Sequence, residues 1–320
     1  MTTTAPTLLL WLDEAAEIEQ TLAAHIAPGA LHIVRAKAGE MPPAEILAAA
    51  DIVFAWDIPA GVISRMPRLR WIQAATGGVD NWIGREDLES RVMLTCARGV
   101  HRVQMPENIL GALFHVTKAF PECHAQQRRH EWKRLTFDLL AGKTLGIVGL
   151  GAIGSELARK AAALEMRVIG ARKSPGPVPF VEQVYGLDQI ESLLGESDYV
   201  VLLIPVTPET NDLMNARRLA AMKPGAWLLN FARGEHVVDA DLIEAVRKRA
   251  IAGAVLDAFR QEPLPVDHPF WDEDRILLLP HVGGRHPQKA RVLGELLAVN
   301  IERYLAGEKP QGIVDPAAGY

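Results

Sequence analysis

Residues 143–174, "KTLGIVGLGAIGSELARKAAALEMRVIGARKS", constrain the fold more than any other stretch of the chain. Gly149, Gly151 and Gly154 fall in G-x-G-x-x-G spacing between an apolar run and a helix-compatible run, and a second apolar run follows. That frame is a strand, a tight turn, a helix and a parallel strand. Gly149 allows the turn, Gly151 lets backbone approach a pyrophosphate, and Gly154 permits close helix-to-strand packing, while the helix N-terminus offers N–H donors. The result is an anion site that needs no charged side chain. An empty Gly-rich turn is the competing reading; the strand-helix-strand context favours a dinucleotide.

The second strand of this frame ends "VIGARKS", at the offset of roughly 20 residues where an acid ordinarily binds the adenosine ribose 2′-hydroxyl. No Asp or Glu stands there; Arg172, Lys173 and Ser174 do. A carboxylate would repel a 2′-phosphate, whereas a guanidinium fork, an ammonium and a hydroxyl attract one. The sequence therefore predicts NADP over NAD, against the alternative of a solvated basic turn.

The rest of the chain extends the same pattern. Apolar runs at "TLLLWL", "LHIVRA", "DIVFAW", "LRWIQAA" and "VMLTCA" alternate with helical stretches, and a second series holds "RVIGA", "YVVLLIP", "AWLLNFA", "IAGAVLDAF" and "ILLLP". Strands this apolar suit parallel sheets covered on both faces. Residues 106–130 read as mainly helical despite Pro121, the final helix stops at Gly307, and the tail "KPQGIVDPAAGY" packs on the surface. The expected fold class is α/β, with two doubly wound parallel-sheet domains and a cleft between them. Residues 1–106 and 290–320 would form the substrate-binding domain, and residues 107–289 the larger dinucleotide-binding (Rossmann) domain.

Charge and cysteine usage narrow the partners. A net charge of −5 over 320 residues lacks the basic field that nucleic acid or an anionic membrane needs, and no apolar run reaches spanning length. Cys96 and Cys123 fit neither a disulfide framework nor a metal knuckle, so no metal is expected and a reducing cytoplasm is the simplest home. The N-terminus has no basic segment before its short apolar run, which does not match a secretory signal.

Three later segments place a polar residue just after an apolar strand: Arg233 in "NFARGEHVVDADLIEA", Glu262 in "LDAFRQEPLP" and His281 in "LLLPHVGG". Ligands of open α/β sheets bind at such strand ends. Together with "GLGAIG" and "LLIPVTPETNDLMN", these segments make nearly the whole chain resemble the D-isomer-specific 2-hydroxyacid dehydrogenases. Within them, the likeness leans to the bacterial glyoxylate/hydroxypyruvate reductases, which favour NADPH and carry an Arg-rich turn in place of the ribose-binding acid.

The resemblance implies that Arg233 holds the substrate carboxylate and keto oxygen, that His281 is the general acid/base, and that a buried Glu262 pairs with it. Hydride attack on a keto carbon builds negative charge on oxygen, which a proton and a fixed cation must meet. A carboxylate beside the imidazole favours the protonated ring, so reduction is expected to fade as pH rises. The resemblance also assigns the cofactor to Ala152, Ile153, Pro205, Thr210, Phe231, Ala232, Asp257 and Gly283 beside the glycines and the basic turn, with Asp257 approaching the nicotinamide carboxamide. It assigns the substrate carboxylate to backbone N–H groups at Gly77 and Gly78, extending to Val79, with Trp56 close by; a plain Gly-Gly turn and a core tryptophan are the bland alternatives. Arg285 and His286 depart from the family's small or hydroxyl residues, as extra cations for a second substrate carboxylate or as a solvated loop. "LDAF" stands where "LDVF" is common. The expected activity is NADPH-dependent reduction of glyoxylate and hydroxypyruvate by a homodimer. An NAD-linked dehydrogenase of another D-2-hydroxy acid and a dinucleotide-sensing corepressor are the alternatives.

Overall fold

The computed structural model describes residues 5–118 and 120–315. The chain divides into two compact units, Met1–Val100 with His286–Tyr320, and His101–Arg285. In chain order the first unit contributes β1 (Thr7–Trp11), α1 (Ala15–His25), β2 (His32–Ala36), α2 (Ala44–Ala49), β3 (Ile52–Ala55), β4 (Trp71–Ala74) and β5 (Met93–Thr95). The second opens with α3 (Gln104–Thr117) and α4 (Phe120–Arg129), then β6 (Thr144–Val148), α5 (Ala152–Ala162), β7 (Arg167–Ala171) and β8 (Gln183–Tyr185). It continues with α6 (Ile190–Glu196), β9 (Tyr199–Leu202), α7 (Ala216–Ala220), β10 (Trp227–Asn230), α8 (Asp239–Arg247), β11 (Gly253–Leu256) and β12 (Ile276–Leu278), before α9 (Lys289–Leu305) returns to the first unit.

Both sheets are parallel throughout their named pairings. The first runs β2-β1-β3-β4-β5 and the second β12-β11-β10-β9-β6-β7-β8. Side chains of successive strand residues face opposite ways, so unbroken apolar strands feed two cores at once. In the larger sheet Val148, Val200, Leu228 and Ala254 pack on one face, and Leu145, Ile147, Val201, Leu229 and Val255 on the other. In the smaller, Leu9, Val53 and Ile72 oppose Leu8, Leu10, Phe54 and Trp71 in the same way. The order of the larger sheet reverses at β6, whose neighbours are β7 and β9, and ligands of such sheets bind at this reversal, beyond the C-terminal strand ends.

Four local features differ from the sequence reading. The helical stretch from Pro106 is two helices, because Pro121 sits in the first turn of α4, where its missing N–H costs nothing. Strand β8, three residues long, escaped notice; it is an edge strand held by β7. Residues 101–106 group with the second unit, since Gln104 Nε2 donates to the Gly284 carbonyl at 3.0 Å. The tail does more than lie on the surface. Cys96 N–H donates to Gly312 O at 2.9 Å and Val314 N–H to Leu94 O at 3.0 Å, and Val314 is buried. Residues 316–320 of that tail lie outside the described residues.

Candidate active site

The cradle after β6 has the shape its glycines suggest. Gly149 has φ +110°, and a Cβ there would stand 2.4 Å from Leu203 O. A Cβ on Gly154 would lie 2.0 Å from Gly149 O, so α5 crosses the turn at backbone contact. A Cβ on Gly151 would meet nothing within 4 Å; the approach to the N-terminus of α5 is open there, and no side chain caps the helix. Ala152 and Ile153 form the first turn of α5. A pyrophosphate fits this arrangement: open backbone, helix N–H donors and no competing carboxylate cap.

At the end of β7, Arg172 lies half-buried and its Nε donates to Ser174 O at 2.6 Å, which orients the guanidinium within its own turn; Lys173 and Ser174 are exposed. Beyond β9, Pro205 and Thr210 bracket one loop. The Thr210 hydroxyl donates to Pro205 O at 2.8 Å and accepts Thr207 N–H at 2.7 Å, so this side chain shapes the loop from within.

Beyond β10, Phe231 and Ala232 are buried and Arg233 is half-buried. Asn230 fixes this turn: its Nδ2 donates to Arg233 O at 2.7 Å and its Oδ1 accepts Ala232 N–H at 3.1 Å. Arg233 Nη1 donates to Ala232 O at 2.8 Å. Beyond β11, Asp257 is 2 % exposed, and its two oxygens accept Val282 N–H at 2.8 Å and Gly283 N–H at 2.9 Å. Burial pushes the Asp257 carboxyl up, opposed by those two N–H groups. Asp257 thereby anchors the turn that follows His281.

His281 follows β12 with φ +51°, a left-handed conformation uncommon for a side chain of its size. Its Nδ1 lies 2.8 Å from Glu262 Oε2, while Glu262 Oε1 accepts Phe259 N–H at 2.9 Å. The pair expected from the sequence is formed, but Glu262 is not buried: the two side chains are 37 % and 49 % exposed. Both sit on loops beyond strand ends. Arg285 is exposed, and His286 Nε2 is buried without a hydrogen-bond partner among the described residues.

In the first unit, Gly77 and Gly78 follow β4, with Gly78 O accepting the Thr76 hydroxyl at 2.5 Å and Val79 buried. Trp56 follows β3, half-buried; its Nε1 donates to Glu14 Oε2 at 3.3 Å, and Lys289 Nζ stands 3.9 Å from its ring centroid. Trp56 thus carries a cation on its face, which a plain core tryptophan would not.

Two residues near the site escaped the sequence reading. His236 is fully buried, with Nδ1 2.9 Å from Thr210 O and Nε2 3.0 Å from Ile204 O. Arg260, two residues before Glu262, spans three loops. Among the described residues, no helix is long and apolar enough to cross a membrane.

Known proteins resemble this chain over most of its length. Residues 110–283 match the family model described as D-isomer specific 2-hydroxyacid dehydrogenase, NAD binding domain. A glyoxylate/hydroxypyruvate reductase A of Serratia proteamaculans is 33 % identical over 278 residues, covering 85 % of this chain and 88 % of that one. A D-isomer specific 2-hydroxyacid dehydrogenase from Xanthobacter autotrophicus Py2, solved with NADPH and MES, superposes with a TM-score of 0.87 at 31 % identity, over 99 % of this chain and 100 % of that one. An NADPH-dependent glyoxylate/hydroxypyruvate reductase from Sinorhizobium meliloti, solved with NADP and sulfate, gives 0.86 at 27 % identity, over 98 % and 100 %.

Proposed function

Since the chain belongs to the D-isomer-specific 2-hydroxyacid dehydrogenase family and is an oxidoreductase of that class, we propose that it reduces small 2-oxo acids, glyoxylate and hydroxypyruvate foremost, with NADPH. The observation that carries this reading is the His281–Glu262 pair at 2.8 Å, with His281 after β12, Glu262 after the neighbouring β11 and Arg233 after β10 beside it.

Bound on the open glycine turn, the reduced dinucleotide supplies the hydride. Arg233 meets the substrate carboxylate and the oxygen on which charge develops, with Asn230 fixing the turn that presents it. Because His281 Nδ1 faces a carboxylate, that nitrogen carries hydrogen and Nε2 delivers the proton to the substrate oxygen. Glu262 holds the ring in that orientation. Arg172, Lys173 and Ser174 receive the 2′-phosphate, and the absence of an acid in that turn supports NADP over NAD. Gly77, Gly78 and Trp56 are the first unit's candidates for substrate recognition. Four large apolar side chains, Phe120, Trp132, Phe137 and Leu139, are exposed along α4 and the segment after it, and we assign them to contact with a second copy of the chain; Trp132 is 94 % exposed. Two free cysteines and reliance on reduced dinucleotide fit a cytoplasmic setting.

The test is loss of NADPH absorbance with glyoxylate and hydroxypyruvate. His281→Ala should lower kcat by roughly 10²-fold or more with modest change in KM, whereas Arg233→Ala should damage both. Wild-type turnover in either variant would overturn that residue's role. A monomer in solution at micromolar concentration would overturn the pairing.

A further inference from the structure

We propose that Arg260 is the positioning residue of the acid/base pair, strapping the loop that carries Glu262 onto the turn that carries Arg233. Its Nε donates to Val237 O at 2.8 Å, and its Nη2 reaches Val237 O at 2.5 Å, Glu235 O at 3.2 Å and Asp212 Oδ1. The three acceptors come from two segments far away in sequence, the loop after β9 and the turn after Arg233. Those segments are themselves joined, with Asp212 N–H donating to Glu235 O at 2.8 Å and Met214 N–H to His236 O at 2.8 Å.

Beneath the strap the two catalytic loops touch at backbone level. A Cβ on Gly234 would stand 2.0 Å from Phe259 C and 2.1 Å from Arg260 N, so the residue after Arg233 lies directly against the peptide before Arg260. The same residue reaches the acid through one hydrogen bond: Phe259 N–H donates to Glu262 Oε1 at 2.9 Å, and the other oxygen holds His281. The guanidinium therefore fixes the segment from which Glu262 is aimed, and through the same contacts fixes Arg233 relative to it. Asp239, 3.8 Å from Arg260 Nε, adds a carboxylate to the strap, with His268 on its other side at 3.4 Å. The partners of the strap are Val237, Glu235, Asp212 and Asp239, none of them a reacting group, so its removal should loosen aim without removing one. Displacements of about 1 Å in such a site cost up to 10²-fold in rate.

The inference rests on the roles given above to Glu262 and His281, and the experiment separates the two. Arg260→Met, Arg260→Lys, Asp212→Asn and Glu262→Gln are compared with the parent for kcat and KM, for the pH at which reduction falls to half, for NADPH affinity by fluorescence, and for thermal midpoint. Asp212 has φ +52°, a conformation asparagine adopts readily, so that variant removes the ion pair with the least disturbance of the backbone. Arg260→Met should lower kcat about tenfold with KM changed little and alter the pH profile as Glu262→Gln does, with NADPH affinity within twofold. Arg260→Lys should recover part of the loss, and Asp212→Asn should reproduce a smaller one. If Glu262→Gln shifts the pH profile while Arg260→Met and Asp212→Asn keep the parent's kcat and profile, the strap has no positioning role. If Glu262→Gln leaves the profile unmoved, it is the role of Glu262 that fails. Should Arg260→Met not fold, Asp212→Asn alone decides, an unchanged kcat and pH profile overturning the proposal.

Discussion

Glu262 divides its carboxylate between two partners: Oε2 meets His281 Nδ1 at 2.8 Å and Oε1 accepts the Phe259 N–H at 2.9 Å. One oxygen thus ties the acid to its own loop and the other ties the imidazole to the acid. Because both groups are partly exposed, their attraction is screened by solvent, and orientation matters more than raw electrostatic strength.

Glu262→Gln tests that division. The amide can still accept the Phe259 N–H, but it presents no charge to the ring. We expect kcat for glyoxylate reduction to fall roughly 10- to 100-fold, within the span of a general acid's contribution, with KM changed little and the pH profile of kcat altered. Steady-state rates across pH 5–9 check it, and a profile superimposable on the parent's would contradict the pairing's role.

The proposed NADPH preference is tested at Arg172, whose Nε donates to Ser174 O at 2.6 Å. Arg172→Asp places a carboxylate where the ribose substituent is expected. Loss of a charge-assisted contact worth about 1.5–3 kcal/mol corresponds to roughly 10- to 100-fold in affinity. The ratio of kcat/KM for NADPH over NADH should drop by at least tenfold. An unchanged ratio would remove this turn from cofactor recognition.

Much of this was legible before any coordinates. The G-x-G-x-x-G run, the apolar strands and the polar residues at their ends are local patterns, and the fold sets Gly149, Arg172, Arg233, Glu262 and His281 beyond the C-terminal ends of five strands of one sheet. What escaped depends on contacts distant in sequence. Arg260 reads as a surface arginine, yet its partner Asp212 is 48 residues away. His236 reads as one histidine among ten, and only the fold brings Ile204 O and Thr210 O to its two nitrogens. Strand β8 is too short to show a period, and the tail's pairing with β5 carries no signal in its Pro- and Gly-rich sequence. The openness of Glu262 was missed because burial of a loop side chain depends on what covers the loop.

Two glycines separate folding from ligand binding. A Cβ on Gly154 meets backbone at 2.0 Å, so Gly154→Ala must move α5 or the turn beneath it; a Cβ on Gly151 meets nothing. Gly154→Ala should destabilise by about 1–3 kcal/mol, the range for overpacking, and lower the thermal midpoint. Gly151→Ala should leave the midpoint within about 1 °C and still weaken NADPH at least tenfold, because the methyl group occupies the pyrophosphate approach. Calorimetry and fluorescence titration on both variants check the contrast, and NADPH affinity unaltered in Gly151→Ala would place the cofactor elsewhere.

Acid stability of the first unit should depend on Asp87. Its carboxylate accepts Arg85 Nε and Nη2, each at 2.9 Å, and the N–H groups of Gly61 at 2.9 Å and Ile63 at 3.3 Å. The Arg85 guanidinium holds this carboxyl below its ordinary value, helped by the two N–H groups and opposed by burial. A depressed folded value means that the fold favours the ionised form. The stabilisation is complete above the unfolded value near 3.9 and is lost as pH falls through it towards the lower folded one. Asp87→Asn should therefore cost about 1–3 kcal/mol at pH 7, since an amide nitrogen cannot accept from Arg85, and the gap from the parent should narrow as pH falls below about 4. Arg85 also donates to Ile58 O at 2.5 Å and Pro59 O at 3.2 Å, so the loss should first loosen the segment that follows Trp56. Urea unfolding followed by tryptophan fluorescence at several pH values measures it, and a gap constant from pH 7 to pH 3 would show that the Asp87 carboxylate does not set this unit's acid response.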